Sequence, residues 1–248
     1  MYEITLPILM VVTLGGILAA FAQRTSGFAF GVIVLSVLPY VLSYTDAVAV
    51  AKMGTAGMTV LFFLLNHKNF NWEIAKYPFF AMLICDIIGI LLAKQIGLEN
   101  LKVFLGIFLI FVGGHALCNP TLIAIQPTRE KGILFGMLAG ICSGFFGAGG
   151  PFLAMYASAI DWSKEEYFST TQGLLSVVLS TDVIVRACSG LIRLQAVETI
   201  VVMLPGVALG AVLGTLLFRR IDEKLLRKVV NLMITVNGFL MVWVNLHS

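Results

Sequence analysis

The sequence predicts an all-α polytopic membrane protein built from two inverted repeats of about five apolar segments each, with eight to ten crossings and helices broken at Gly-rich motifs. Three observations lead to this prediction. Hydrophobic residues make up 59% of the 248 positions and charged residues only 12%, well below the roughly 25% charge of soluble domains. Long apolar runs recur along the chain, and glycine-rich stretches interrupt two of them.

The apolar runs were compared with the roughly 30 Å of hydrocarbon that a spanning helix must cross. They define segments at approximately 4–22, 28–44, 47–66, 77–94, 100–117, 132–146, 151–160, 166–188, 196–218 and 225–246. The start, Met1-Tyr2-Glu3, lacks a basic n-region, so we expect the first segment to remain as a permanent span. The pair flanking 147–150 is short, which favours a hairpin of half-helices over two crossings. The pair flanking 23–27 looks like its counterpart.

Glycine occupies every fourth position ahead of the second interruption, at Gly132, Gly136, Gly140 and Gly144. This spacing leaves one helix face without side chains, so another helix can approach closely. The run Gly-Ala-Gly-Gly-Pro over 147–151 then ends the helix, because glycine adopts strained backbone angles and proline lacks a donor. Broken helices in carriers mark the binding site. A second ladder follows Pro205, at 206, 210 and 214, and we interpret it as a packing surface.

The two halves resemble each other when the chain is shifted by 120 residues. Gly16, Leu18, Ala19 and Gly27 then fall on Gly136, Leu138, Ala139 and Gly147. The segment layouts also agree, which predicts repeats over 1–120 and 121–248 within one integrated transport domain. A repeat with an odd number of crossings places its second copy upside down, as in many secondary transporters.

Most lysines and arginines fall in loops on one side of this arrangement. They are Arg24, Lys68, Lys76, Arg129, Lys131, Lys164, Arg219, Arg220, Lys224, Arg227 and Lys228. The positive-inside rule makes that side cytoplasmic and places both termini outside. We therefore expect a multi-pass protein of a bacterial-type cytoplasmic (inner) membrane, with the lipid bilayer as its partner; the sequence also allows a homo-oligomer.

Several function classes lack the motifs that they need. The cysteines and histidines are dispersed without metal-ligand spacing, so we expect no metal site and no disulfide framework. No nucleotide-binding loop and no basic stripe with interleaved aromatics is present, so we expect no cofactor and no nucleic-acid partner. No nucleophile–base pair indicates catalysis, so we expect no enzyme activity and no catalytic residues. Transport would then draw on gradients, not on ATP.

The second glycine motif carries a family resemblance. The stretch 136–156, GMLAGICSGFFGAGGPFLAMY, followed by DWSKEEYFSTT over 161–171, is similar to the second repeat of the TauE/SafE sulfite exporter family, also called the toluene sulfonate uptake permease superfamily. The first repeat, TSGFAFG over 25–31, resembles the family's T-G-F-G-F version and departs from it at Ser26 and Ala29. The resemblance implies a secondary transporter of small sulfur-containing anions such as sulfite or sulfonates, which we expect to export its substrate.

The two breaks predict an anion site. A helix that begins at Gly149, Gly150 or Pro151 presents unsatisfied N–H groups and about half a positive charge, and the Thr25–Gly27 interruption adds two hydroxyls. Inverted symmetry would bring both breaks together at mid-membrane. The candidate substrate-binding residues are Arg24, Thr25, Ser26, Gly27, Lys52, Gly147, Ala148, Gly149, Gly150, Pro151 and Gln172. The alternative is that these glycines only permit helix packing.

Charged and amide side chains inside spans are costly and usually functional. Lys52 falls on Gln172 under the 120-residue shift, and a cation and an amide at these places suit an anion approached from two sides. Alternatively, Lys52 snorkels to the outer interface. Gln172 would then only form a hydrogen bond to a neighbouring helix. Asp86 is our first proton-coupling candidate because an unpaired buried carboxylate binds a proton. The alternatives are a helix-to-helix hydrogen bond or a structural pair with Lys52. Asp182, the second proton candidate, can instead pair with Arg186 at i, i+4.

Alternative functions remain open at this stage. Arg24 either neutralises an incoming anion or only sets topology. The protein could carry small carboxylates, or it could be a non-transporting membrane accessory protein. We expect a leucine at position 149 to fill the anion site, abolishing transport while leaving membrane insertion intact.

Overall fold

Apolar stretches become helices because backbone groups in hydrocarbon must bond to one another. The computed structural model describes residues 6–96, 102–118, 128–158, 160 and 163–217, and the helical positions 232, 235–236, 238–239 and 242–243. That part of the chain contains helices and no strand. The helices are α1 (Leu6–Ser26), α2 (Ala29–Val37), α3 (Tyr44–Asn66), α4 (Trp72–Ile96), α5 (Lys102–Cys118), α6 (Arg129–Phe146), α7 (Gly150–Ser158), α8 (Lys164–Cys188) and α9 (Leu194–Leu217).

The helices fall into long and short ones. Within the described ranges, α1, α3, α4, α8 and α9 are long and apolar enough to cross a membrane. In contrast, α2 and α7 have only nine residues each, about half of what a bilayer requires. The all-α, multi-pass membrane class predicted from the sequence is therefore confirmed.

Two helix boundaries differ from the predicted segments. Helix α1 continues to Ser26 instead of ending at 22, so the interruption predicted over 23–27 shrinks to Gly27 and Phe28. Helix α4 begins at Trp72 instead of 77 and includes Pro78, which neighbouring groups allow in membrane helices. The junction at 119–127 and most of the segment predicted at 225–246 lie outside the described residues.

The first glycine ladder fits directly against the backbone of α4. A Cβ atom added to Gly136, Gly140 or Gly144 would lie 2.6, 2.5 or 2.4 Å from a carbonyl oxygen of α4. The carbonyls belong to Pro78, Met82 and Asp86, which follow the same four-residue spacing. The two helices thus touch backbone to backbone, which is the close approach that glycine spacing predicts.

The second glycine ladder plays the same role between α9 and α1. Cβ atoms on Gly206 and Gly210 would lie 2.4 and 2.2 Å from the carbonyl oxygens of Thr13 and Ile17. Helices α3 and α8 pack against each other between these two pairs, and both carry many buried polar side chains. The packing interpretation of both ladders is confirmed, and the polar interior lies on α3 and α8.

Serine caps start both central helices. The Ser43 hydroxyl accepts a hydrogen bond from the Asp46 N–H at 3.1 Å, and the Ser163 hydroxyl accepts one from the Glu166 N–H at 3.2 Å. An acidic residue three positions after the capping serine is typical of a capping box. Both helices therefore begin at positions fixed by local sequence, which sets the depth of the polar residues that follow.

Candidate functional site

Both helix breaks turn at a glycine with left-handed backbone geometry. Gly27 has φ of 86° and Gly147 has φ of 76°, a conformation that glycine adopts without the steric cost of a Cβ atom. The breaks are also neighbours in space: a Cβ atom on Gly150 would lie 2.9 Å from Cβ of Phe28, and one on Gly31 would lie 3.3 Å from the Gly147 carbonyl oxygen. The predicted proximity of the two breaks is confirmed.

The first break is capped by the chain's own side chains. The Ser26 hydroxyl accepts hydrogen bonds from the N–H groups of Phe28 and Ala29, at 3.4 and 3.2 Å. The Gln23 side-chain oxygen accepts one from the Phe30 N–H at 3.0 Å. The hydroxyl groups of Thr25 and Ser26 themselves donate hydrogen bonds to backbone carbonyls of α1. The start of α2 therefore has fewer backbone N–H groups available to bind an anion than the sequence predicted.

Gln172 of α8 forms hydrogen bonds with the first break. Its amide nitrogen donates to the Gly27 carbonyl at 2.8 Å, and its oxygen lies 3.5 Å from the amide nitrogen of Gln23. Gln23 donates to the same Gly27 carbonyl at 3.0 Å. This arrangement matches the alternative interpretation of Gln172 as a helix-bonding residue.

Arg24 of α1 contacts residues of α3, α8 and α9. Its guanidinium carbon is 5.5 and 5.0 Å from the ring centres of Phe62 and Phe168, and its Nε donates to the Thr215 hydroxyl at 3.2 Å. Distances of this kind are typical of cation–π contacts. Arg24, Thr25 and Ser26 do not line the cavity described next.

The second break borders a small buried cavity. Its volume is about 20 Å³, enough for one water molecule. Six helices and both breaks contribute to the lining, which comprises Phe28, Gly31, Val32, Lys52, Thr55, Met82, Ser143, Gly147, Ala148, Gly149, Gly150, Leu175 and Leu179. Five of the predicted substrate-binding residues thus meet in one place: Lys52 and positions 147–150.

Lys52 is the charged group of this cavity. Its side chain is only 1% exposed, so the snorkelling interpretation is wrong. The ammonium nitrogen lies 2.5 Å from the Ser143 hydroxyl, 2.6 Å from Oδ2 of Asp182 and 3.6 Å from Oδ1 of Asp86. Both predicted proton-coupling candidates therefore contact the same lysine.

Arg186 joins the cluster from one turn further along α8. Its Nε lies 2.6 Å from Oδ1 of Asp182, and its Nη2 donates to the Gly144 carbonyl at 2.7 Å. The predicted Asp182–Arg186 pair is confirmed, and both side chains are buried. We name Lys52, Asp86, Asp182 and Arg186 the buried ion cluster.

Asp86 is the least bonded member of the buried ion cluster. Neither of its carboxylate oxygens has a hydrogen-bond partner among the described residues, and the side chain is 0% exposed. Burying an ionised group without hydrogen bonds is costly. This carboxylate is thus chemically distinct from Asp182, which receives short contacts from two cations.

Gly149 does not face the anion site in the way that the sequence led us to expect. A Cβ atom at this position would lie 2.0 Å from the Ala139 carbonyl oxygen and 2.6 Å from Cβ of Ser143. A leucine there would first collide with the backbone of α6, so it would damage the packing of the hairpin. Loss of transport in Gly149→Leu would therefore not by itself indicate a filled anion site, and unchanged membrane insertion stays a prediction. Pro151 follows as the second residue of α7.

Sequence reasoning missed three members of the site. Ser143 and Gln23 are 120 positions apart, each near the end of the helix before a break, so the repeat comparison could have found them. Thr55 lines the cavity one turn after Lys52 on α3. As for metal ions, no group of three or more His, Cys, Asp or Glu side chains within the described ranges could hold one.

Comparison with known proteins gives one match. The family model described as sulfite exporter TauE/SafE matches residues 12–241, nearly the whole chain. Searches of curated proteins and of solved structures found no significant match. The long apolar helices agree with this assignment. The chain is therefore a multi-pass membrane protein that belongs to the sulfite exporter TauE/SafE family, a family of membrane transporters.

Proposed function

We propose that this protein is a secondary transporter of small sulfur-containing anions, such as sulfite or sulfonates, and that it exports them by alternating access. The observation that carries the proposal is the meeting of Lys52 with the start of α7 at one buried cavity. A fixed cation and a helix N-terminus both attract negative charge. The family assignment supports the transport of such anions.

The start of α7 supplies donors that the start of α2 does not. The backbone N–H groups of Gly149 and Gly150 have no acceptor among the described residues. These groups lie beside Ser143, whose hydroxyl contacts Lys52. A sulfite or sulfonate oxygen could accept from the amides while a second oxygen contacts the ammonium group, which uses the several acceptors of such an anion.

The cavity also bears on the mechanism, because about 20 Å³ is too small for a sulfonate. An anion with three oxygens needs several times the space of one water, so the helices around the cavity must separate to admit it. Helices α4 and α6, and likewise α1 and α9, meet at glycine faces that carry no side chains. Such faces offer surfaces along which the helices can move. We propose that such movements open the site alternately to the two sides.

Two inverted repeats, over 1–120 and 121–248, form part of the proposal. Under the 120-residue correspondence, the α1–α9 pair exchanges with the α6–α4 pair, and the α3–α8 pair maps onto itself. The left-handed glycines 27 and 147 correspond, as do the capping serines 43 and 163. We further propose an inner-membrane location with both termini outside, as the lysine and arginine distribution favours.

The experiment is uptake of radiolabelled sulfite by proteoliposomes that contain the purified protein. In the Lys52→Gln variant, the cation is replaced by the residue type found at position 172, and we expect uptake to fall at least about tenfold, the equivalent of one lost charged contact. The control is Lys76→Gln, which removes a partly exposed lysine paired with Glu73 on α4. That variant should transport like the wild type.

Competition by unlabelled methanesulfonate and acetate then tests the substrate class. Stronger inhibition by methanesulfonate supports a sulfur-anion carrier, whereas stronger inhibition by acetate favours a carboxylate carrier. Uptake that is equal in Lys52→Gln and wild-type protein would rule out this cavity as the binding site. Absence of uptake by the correctly folded wild type would favour an accessory role.

A further inference from the structure

The charges of the buried ion cluster cancel one another when all four groups are ionised. Lys52 and Arg186 contribute two positive charges, and Asp86 and Asp182 contribute two negative ones; all four side chains are at most 1% exposed. An anion bound beside Lys52 would therefore add one uncompensated negative charge to a buried region. Such a charge is strongly unfavourable in the interior of a membrane protein. Tight anion binding thus requires one further positive charge.

Asp86 is the group that can accept this charge as a proton. Asp182 receives contacts of 2.6 Å from both Lys52 and Arg186, so its protonation would disrupt two short ion pairs. Asp86 has no described hydrogen bond that meets the usual geometry, and its one described ion-pair contact is Lys52 at 3.6 Å. It also follows the cavity-lining Met82 by one helical turn. Protonation at Asp86 therefore costs the least and lies beside the proposed anion site.

We propose that Asp86 binds one proton whenever a monovalent anion binds beside Lys52, so that the protein carries the two together without net charge movement. This inference rests on the proposed anion site. The proton comes from water on the side of entry and forms an O–H bond at the Asp86 carboxylate. It returns to water when the site opens to the other side, and the anion itself is unchanged.

Neutral Asp86 also changes the bonding of the lysine. The weak 3.6 Å attraction between Asp86 and Lys52 disappears, while the 2.6 Å contact with Asp182 remains. The ammonium group then has one negative neighbour instead of two, and its remaining field acts on the anion. Proton binding and anion binding thus favour each other, and thermodynamic linkage makes this coupling reciprocal.

Charged and polar groups from three other helices face Asp86. They are Lys52 on α3, Ser143 on α6, and Asp182 and Arg186 on α8. Among these residue types only carboxylates ordinarily titrate below pH 8. The thiols next to the cluster in sequence are Cys85 and Cys142, and a thiol ordinarily titrates only near pH 8.5. Asp182 keeps its two cationic contacts. Proton uptake on anion binding is therefore attributable to Asp86.

Isothermal titration calorimetry of the detergent-solubilised protein measures this directly. Methanesulfonate is the probe because its charge does not change with pH, unlike that of sulfite. Titrations in buffers of different ionisation enthalpy give the number of protons taken up per anion bound. We expect about one proton for the wild type where Asp86 is ionised in the free protein, with Kd rising about tenfold per pH unit.

The Asp86→Asn variant mimics the protonated aspartate and should bind methanesulfonate with no proton uptake and no dependence on pH. The matched control is Glu73→Gln, which removes an exposed carboxylate from the same helix and should keep the uptake of about one proton. The wild-type measurement does not depend on either variant, so it tests the inference even if Asp86→Asn fails to fold.

The outcomes separate the two proposals. Methanesulfonate binding with no proton uptake by the wild type, or with full uptake by Asp86→Asn, contradicts the linkage and leaves the anion site standing. Absence of binding of methanesulfonate, sulfite and acetate by the wild type contradicts the anion site and this inference together. Proteoliposome uptake driven by a pH gradient, and unchanged when valinomycin clamps the voltage, would support the electroneutral movement.

Discussion

Replacing Gly144 by alanine should force α4 and α6 apart at the point where the buried ion cluster is anchored. The added Cβ atom would lie 2.4 Å from the Asp86 carbonyl oxygen and 2.8 Å from both Cα of Gly89 and the backbone nitrogen of Ile90. All three atoms belong to the backbone of α4, so no side-chain rotation relieves the contact. Normal separations are about 3.5 Å, so the helices must move apart by about 1 Å.

The size of the effect follows from two opposing contributions. Overpacking of this kind costs about 1–3 kcal/mol, and replacing glycine by alanine within a helix returns about 0.5–1 kcal/mol. Their difference spans about 0–2.5 kcal/mol, and the close contacts with three backbone atoms favour the upper part of this range, about 1–2 kcal/mol. For a chain of this length, Tm falls by about 2–4 °C for each kcal/mol, so we expect a decrease of about 2–8 °C.

The matched control is Gly57→Ala. Gly57 is an exposed glycine of α3, and a Cβ atom there would have no neighbour within 4 Å. We expect this variant to be at least as stable as the wild type, because alanine lowers the entropy of the unfolded chain at no steric cost. Thermal unfolding in one detergent, followed by intrinsic fluorescence or circular dichroism, compares the three proteins. Equal Tm values for Gly144→Ala and Gly57→Ala would refute the backbone contact.

Three further substitutions test the breaks and the cluster by the same unfolding assay. Gly27→Ala should cost about 1–2 kcal/mol through backbone strain alone, since the nearest atom to its Cβ would be the Gln172 amide nitrogen at 3.4 Å; an unchanged Tm would exclude a φ of 86°. Gln172→Leu should cost about 1 kcal/mol through the lost bond to the Gly27 carbonyl, and a stabilised variant would contradict that bond. Arg186→Met should cost about 3–5 kcal/mol, because the Gly144 carbonyl loses its donor and Asp182 loses one of its two cations; a double variant with Asp182→Asn should cost less than the sum of both changes, and strict additivity would argue against the pair.

Local sequence is sufficient to place the second helix break but not the end of the first helix. Helix α6 ends at Phe146, where the predicted segment ends, because Gly147 and the residues after it dictate the turn. Helix α1 runs to Ser26, four residues beyond its predicted limit. Gln23 and Ser26 look like loop residues in the sequence, yet they bond to backbone groups of the following turn. Composition cannot distinguish a polar group that bonds to water from one that bonds to protein.

The candidate site, too, could be predicted from the sequence only in part. The Asp182–Arg186 pair could be predicted because one helix fixes the i, i+4 geometry. The contacts of Lys52 with Asp182 on α8 and Ser143 on α6 could not, because they depend on how separate helices are aligned. For the same reason the sequence left Lys52 between an interior and an interfacial position. Ser143 was missed because a single hydroxyl among glycines has no pattern of its own.

A transporter that is not moving substrate must not let ions leak across its membrane, because a leak would dissipate the membrane voltage. The space beside Lys52 admits roughly one water molecule, and Met82, Leu175 and Leu179 form part of its wall. A hydrated ion entering here would have to shed its water shell against hydrocarbon, a barrier like that of the hydrophobic constrictions that close channels. The closed protein can therefore hold four formal charges in its interior and still behave as an electrical insulator.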